Sequence, residues 1–306
     1  MNASVNQVFL VSLLVIGLGY WLKRAVLPAN AGSVLSKLLM HTTFPALLFD
    51  VFTKIQLAPS LIWLPVIAIG FGIVCQLIAM RLFRDLPNDP KGVLLMGSVG
   101  YNLGLFAYPL IEGIWGREGL RYAAMFDLGN SFLVFFVSYS AGIHFSPKGT
   151  GELRWGQVFR KIFSSIPLIF LLIALAINLL EIPVPSFLSD ITSTLARANK
   201  AFVLLLLGIY LHFDFDKSSL RSLRNVVLLR YIMGLLVGSL LFVFLPFEPL
   251  YRTIILVCLV LPVGMVMLAF TEELGYDTKL AGAMANITIV ISFVLLWGLI
   301  LGLGLV

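Results

Sequence analysis

At two places, half a chain apart, an apolar run is interrupted at its centre: Asn102-Leu103-Gly104 and Pro262-Val263-Gly264. Glycine admits backbone conformations that other residues avoid, and proline removes a donor, so each triplet predicts an unwound turn inside a helix. At membrane depth such a turn bares N–H and C=O groups that lipid cannot satisfy, and it survives only against protein or a wet cavity. The second half of each broken helix presents its N-terminus there, with free donors and about half a positive elementary charge. A carboxylate is a natural ligand for that terminus. The candidate substrate-binding residues are Asn102, Leu103, Gly104 and Pro109 at the first break and Pro262, Val263 and Gly264 at the second.

Two roles are open to Asn102. Its NH₂ can donate to a bound carboxylate while its C=O faces a cation or water, or the amide can cap the second half-helix and satisfy groups freed by Gly104 and Pro109. Asp127 lies within the next apolar run, with Asn130 three residues on and so on the same helix face. An ionised Asp at a span centre costs roughly 2.5 to 3.5 kcal/mol on insertion scales, so it must be protonated, paired or wet. It is either a proton carrier or an anchor that accepts loose N–H groups of the broken helix. Asn286, its counterpart in the second half, is neutral, so coupling through charge is asymmetric between the halves. Asp50, near a span end, is a candidate gate or an interfacial residue. Lys200 and Arg230 are read as snorkelling to the interface. Glu112, Glu272 and Glu273 fall at span ends, where solvation suffices, and the Gly234/Gly238 and Gly298/Gly302 spacings permit close helix packing.

These residues need a membrane scaffold. Of 306 residues, 60% are hydrophobic and 12% charged, and the mean hydropathy is +1.02, which is integral-membrane composition. About 20 apolar residues cross a bilayer. Ten candidate spans follow, near 8–27, 34–53, 61–83, 92–112, 118–145, 155–180, 187–212, 221–246, 251–272 and 279–304. The chain reads as one all-α membrane domain, 1–306, with halves of about 1–146 and 155–306. The residues before the first span, Met1 to Gln7, carry no basic residue, whereas Lys23 and Arg24 follow it, the reverse of a cleavable signal peptide.

Of 21 basic residues, 15 fall in connections 1–2, 3–4, 5–6, 7–8 and 9–10 or at the adjoining span ends, counting Lys23, Arg84, Lys91, Arg154 and Arg230 among them. The positive-inside rule puts both termini outside and accounts for the net charge of +6 without nucleic acid. Five spans per half force the second half to enter from the opposite side, so any repeat is inverted. A shift of 160 carries Asn102 and Gly104 onto Pro262 and Gly264, and a shift of 159 carries Ala124, Met125 and Asp127 onto Ala283, Met284 and Asn286. Discontinuous helices in matching positions of two halves mark the binding site of secondary transporters.

Other classes are disfavoured. Ser138-Tyr139-Ser140-Ala141-Gly142 is a partial serine-elbow pattern without the preceding glycine, and no His-Glu-x-x-His element occurs. His41, His144 and His212 share no metal-ligand spacing. Cys75 and Cys258 fall inside spans, where they act as small apolar side chains. No metal, cofactor or soluble output domain is indicated.

The run Gly100-Tyr101-Asn102-Leu103-Gly104-Leu105-Phe106-Ala107-Tyr108-Pro109-Leu110, followed by Trp115-Gly116, Gly119-Leu120 and Phe126-Asp127, resembles the fourth-to-fifth-span signature of the auxin efflux carrier family. Phe44-Pro45-Ala46-Leu47-Leu48, Leu207-Gly208, Leu261-Pro262 and Glu273-Leu274-Gly275 resemble it too. The likeness implies a ten-helix fold related to sodium–bile acid symporters, with spans 4 and 9 crossing at their breaks. It further implies a scaffold of spans 1, 2, 6 and 7, often dimeric, and a moving transport domain of spans 3–5 and 8–10. Organic anions are the implied cargo, carried by elevator-like alternating access across the cell or inner membrane with a proton as a possible coupling ion. The short Ser146 to Arg154 link resembles bacterial or archaeal members, and Asp50 departs from the plant pattern, which argues against auxin itself. A sodium-coupled symporter is the alternative, with Asn130, Thr271, Asn286 and Thr288 as the available oxygen ligands.

Overall fold

The computed structural model describes residues 2–148, 156, 160, 165–212 and 220–305, and these are helical almost throughout. Most of the 5–6 link and the start of the sixth predicted span lie outside the described residues. In chain order the helices are α1 (Asn2–Ala25), α2 (Ala31–His41), α3 (Thr43–Phe52), α4 (Trp63–Leu82), α5 (Asn88–Ser98), α6 (Tyr108–Phe132), α7 (Tyr139–Phe145), α8 (Ile166–Leu179), α9 (Ser186–Tyr210), α10 (Leu220–Phe244), α11 (Pro249–Leu259), α12 (Val266–Leu274) and α13 (Thr278–Gly302). A 3₁₀ turn, Pro59–Ile62, leads into α4, and π-helical turns occupy Leu103–Ala107 and Leu133–Ser138.

Among the described residues six stretches are long and apolar enough to cross a membrane: Val5–Ala25, Ala31–Phe52, Pro59–Leu82, Leu103–Phe145, Leu223–Phe244 and Thr278–Gly302. Leu14, Trp21, Leu77, Leu236 and Phe244 point outward from them, as expected of surface that meets lipid instead of water. The 43-residue stretch is not one straight helix: Gly116, at φ 62 and ψ −152, breaks it. Only glycine adopts that conformation without strain, so the helix kinks sharply between the fourth and fifth predicted spans.

Close backbone contact builds one packed group. Gly19 of α1 lies against the Leu205 carbonyl, and Gly208 of α9 against the Ile16 carbonyl, so a side chain at either position would collide with the facing helix. Small residues allow this approach where no hydrophobic force drives helices together in lipid. On the other side α10 meets α11 the same way, Gly234 lying against the Leu259 carbonyl. Gly238 lies against Leu256, as the spacing predicts. Gly298 and Gly302 do not follow suit: a side chain at either would meet no neighbour, so that second spacing serves no contact within this chain.

Side chains tie the helix ends together. Trp297 Nε1 donates to Asn6 Oδ1 at 2.8 Å and Trp115 Nε1 to the Leu305 carbonyl at 2.9 Å. Tyr251 OH donates to the Ser60 carbonyl at 2.8 Å. Elsewhere Lys23 Nζ donates to the Leu211 carbonyl at 2.9 Å, Ser146 Oγ to Leu274 O at 2.8 Å and Tyr276 OH to Gly142 O at 2.6 Å.

Candidate substrate site at the crossing

The first break runs from the end of α5 to the π-helical turn. Val99 is extended at φ −123 and ψ 166, Gly100 takes φ 78, and Asn102 sits at φ −84 and ψ 69. The second runs from Val260 to Met265 between α11 and α12. The two meet in antiparallel pairing. Tyr101 and Val263 form a β-bridge, and Asn102 N–H donates to the Pro262 carbonyl at 3.0 Å. Exposed peptide groups at membrane depth thereby satisfy one another. Pro109 is not part of the break. It occupies the first turn of α6, where a missing N–H costs nothing.

The remaining peptide groups are held by side chains from the helices that follow each break. Asn130 Oδ1 accepts from Tyr101 N–H at 2.7 Å, and its Nδ2 donates to Tyr101 O at 3.1 Å. In the second half Thr288 Oγ1 accepts from Val263 N–H at 3.1 Å. Ser292 Oγ donates to Val260 O at 2.8 Å and is itself hydrogen-bonded to Tyr231 OH at 2.7 Å. Thr288 thus holds its break as Asn130 holds the other. Asn286 points elsewhere, accepting from His212 N–H at 3.2 Å and donating to Gly282 O at 2.8 Å.

Asn102 takes the capping role. Its Oδ1 caps the π-helical turn, accepting from Leu105 N–H at 3.2 Å, while its buried Nδ2 has no hydrogen-bond partner among the described residues. Asn102 lines a cavity of about 310 Å³. Tyr101 to Leu105 form one wall, Asp127 and Asn130 of α6 another, and Phe44 and Leu48 of α3 a third, with Gly264 to Val266 and Leu171 of α8 closing it. The walls are largely apolar and the polar atoms few, the usual design of a site for a small amphipathic molecule. Gly104 has a steric role: a side chain there would run into the Phe44 ring. Gly264 is under no such constraint, because an added Cβ would make ordinary contact with Tyr101 O at 3.4 Å.

Asp127 borders the cavity, with no cationic partner among the described residues. Its Oδ2 accepts from Tyr108 OH at 2.9 Å and its Oδ1 from Asn130 Nδ2 at 2.8 Å. Asp50 lies apart from the cavity. It is 2% exposed, and it pairs with Lys54 one turn on and with Arg117 at 2.9 Å. Arg117 follows the Gly116 break, so this pair ties α3 to the start of the fifth predicted span.

Arg230 is a correction to the sequence reading. It does not snorkel. At 1% exposure it reaches inward, donating to the carbonyls of Gly97 and Gly100 at 3.0 Å and of Leu261 at 3.3 Å, with its guanidinium 4.4 Å from the centroid of the Tyr101 ring. Its mid-span position was the available signal, since the cost that singled out Asp127 applies equally to a central Arg. Withdrawing Arg230 from the basic count leaves its asymmetry in the same direction. Tyr108 and Tyr231, which also serve the crossing, look in sequence like ordinary apolar-face aromatics.

A family model described as membrane transport protein matches residues 4–151 and 154–300. An uncharacterized transporter of Methanothermobacter thermautotrophicus is 26% identical over 305 residues, covering 97% of this chain and 98% of that protein. An uncharacterized transporter of Methanocaldococcus jannaschii is 24% identical over 308 residues, covering 96% and 98%. Two helix breaks meeting in a packed membrane-type bundle suit such a protein, and the match across both halves gives its identity: the chain is a membrane transporter and belongs to the membrane transport protein family, that of the auxin efflux carriers.

Proposed function

We propose that this protein is a secondary carrier of small organic anions, carboxylates above all, that binds its cargo where the two broken helices cross. One observation carries the reading: Asn102, at the start of a half-helix, lines the cavity, and its buried amide Nδ2 is a donor without a partner among the described residues. A donor left unpaired in the empty site costs about 1 to 3 kcal/mol, which an acceptor on the cargo recovers. The positive end of the half-helix adds to the attraction. The apolar walls select a carboxylate with an apolar body.

In this reading the chain makes ten passes as an inverted five-plus-five repeat in the cell or inner membrane, with both termini outside. The antiparallel meeting of the breaks supports the inversion. Passes 1, 2, 6 and 7 (α1, α2–α3, α8 and α9) form a scaffold, through which two copies pair, and passes 3–5 and 8–10 carry the crossing as a moving unit. Asp127 is the coupling group: protonated, it leaves the cavity uncharged for an anion, and ionised, it repels one. The sodium alternative is less well supported, because Asn130 and Thr288 already serve Tyr101 and Val263, and Asn286 is turned to His212.

The test is a thermal-shift screen of purified protein against mono- and dicarboxylates of graded size. A ligand at 100 times its dissociation constant stabilises by about 2.7 kcal/mol, a readily measured shift. Stabilisation by carboxylates and not by the corresponding amides is the expected result; a response confined to sugars or cations would overturn the proposal.

A further inference from the structure

The last carbonyls of a helix have no intrahelical partner and carry the negative end of its dipole. At this crossing two such ends converge, from α5 (Gly97 and, just beyond it, Gly100) and from α11 (Leu261), and the Arg230 guanidinium binds all three. Among the described residues no carboxylate lies within ion-pairing distance of Arg230. Its charge is met by carbonyl dipoles and by the face of Tyr101, an attraction of the cation–π kind. A guanidinium is a planar fork of donors that can bridge two chains at once, which an ammonium does poorly. In carriers with discontinuous helices, carbonyl ends of this kind hold a soluble coupling cation.

We propose that Arg230 is a resident cation, a positioning residue that clamps the leading half-helices of both breaks together. It thereby fixes the spacing of the two trailing half-helix N-termini that face the cargo. This builds on the reading of the crossing as the anion site. The clamp holds throughout the transport cycle, so the crossing moves as one piece, and no metal cation is needed to assemble it.

The experiment needs no cargo, so its failure is separable from failure of the anion reading. Arg230→Ala and Arg230→Lys are purified and melted in choline, sodium, methylammonium or methylguanidinium chloride at matched ionic strength, and backbone hydrogen exchange is followed by peptide. The parent should melt alike in sodium and choline. Arg230→Ala should melt lower, with faster exchange at 97–103 and 259–264 together while α1 and α9 stay protected, and methylguanidinium should restore it where methylammonium does not. If Arg230→Ala yields no folded protein, Arg230→Lys carries the test, with faster exchange expected at both breaks. Exchange rising at one break only or throughout the chain, rescue by methylammonium as good as by methylguanidinium, or parent-like behaviour of Arg230→Lys would each refute the clamp.

Discussion

The carboxamide of Asn130 pairs with the peptide of Tyr101 as a neighbouring strand would, accepting from its N–H at 2.7 Å and donating to its C=O at 3.1 Å. One side chain thus replaces the helical bonds that Tyr101 loses at the break. Asn130→Leu should therefore strand two buried backbone groups, at about 1 to 3 kcal/mol each. The check is the thermal midpoint together with exchange at 100–102. Asn130→Asp, which keeps the acceptor and loses the donor, should fall between parent and Leu. An unshifted midpoint for the Leu variant would mean that water replaces the amide.

Asn102→Ala should weaken carboxylate binding by about 1.5 to 3 kcal/mol, roughly ten- to over a hundredfold, with a smaller loss of stability from the missing cap. Gly104→Val should do worse, because its side chain displaces the Phe44 ring from the cavity wall. Calorimetric titration with the best carboxylate from the screen measures both. Parent-like binding by the Asn102 variant would place the cargo elsewhere.

Asp127 has two neutral donors and, among the described residues, no cation to hold its charge, so its proton should govern the site. Anion binding should tighten as the pH falls, because protonation removes a like charge from the cavity. Asp127→Asn should bind cargo with little dependence on pH and lose accumulation driven by a pH gradient in proteoliposomes. Undiminished accumulation by this variant would reduce Asp127 to an anchor for Tyr108 and Asn130.

The Asp50–Arg117 pair links α3 to the segment after Gly116, two parts that move relative to one another under the proposed mechanism. Arg117→Ala should free that end of the bundle. Leu48→Cys, on the cavity wall, should then react faster with an impermeant maleimide applied outside intact cells. Native Cys75 and Cys258 are buried and give a low background. An unaltered labelling rate would show that the pair does not gate access.

Topology can be read with the same reagent. Glu118→Cys should be labelled in intact cells and Asp85→Cys only after permeabilisation, both positions being well exposed. The opposite pattern would invert the orientation drawn from the basic residues.

Composition and the period of apolar runs determined the membrane class and the helical fold, because a bilayer tolerates few other solutions for a chain this apolar. Glycine and proline located both breaks, since their backbone chemistry is local. Partners across the breaks were beyond sequence reasoning. A shift of 159 residues matched Asp127 with Asn286, yet it is Thr288 that holds Val263 as Asn130 holds Tyr101. Nothing in a linear pattern says which face of a helix meets a turn half a chain away. The same limit hid Arg230: a mid-span cation read as reaching outward turns inward instead, because two helix C-termini from opposite halves converge on it. Charge placement in a membrane is decided by which carbonyls packing brings within reach, and only the tertiary structure holds that information.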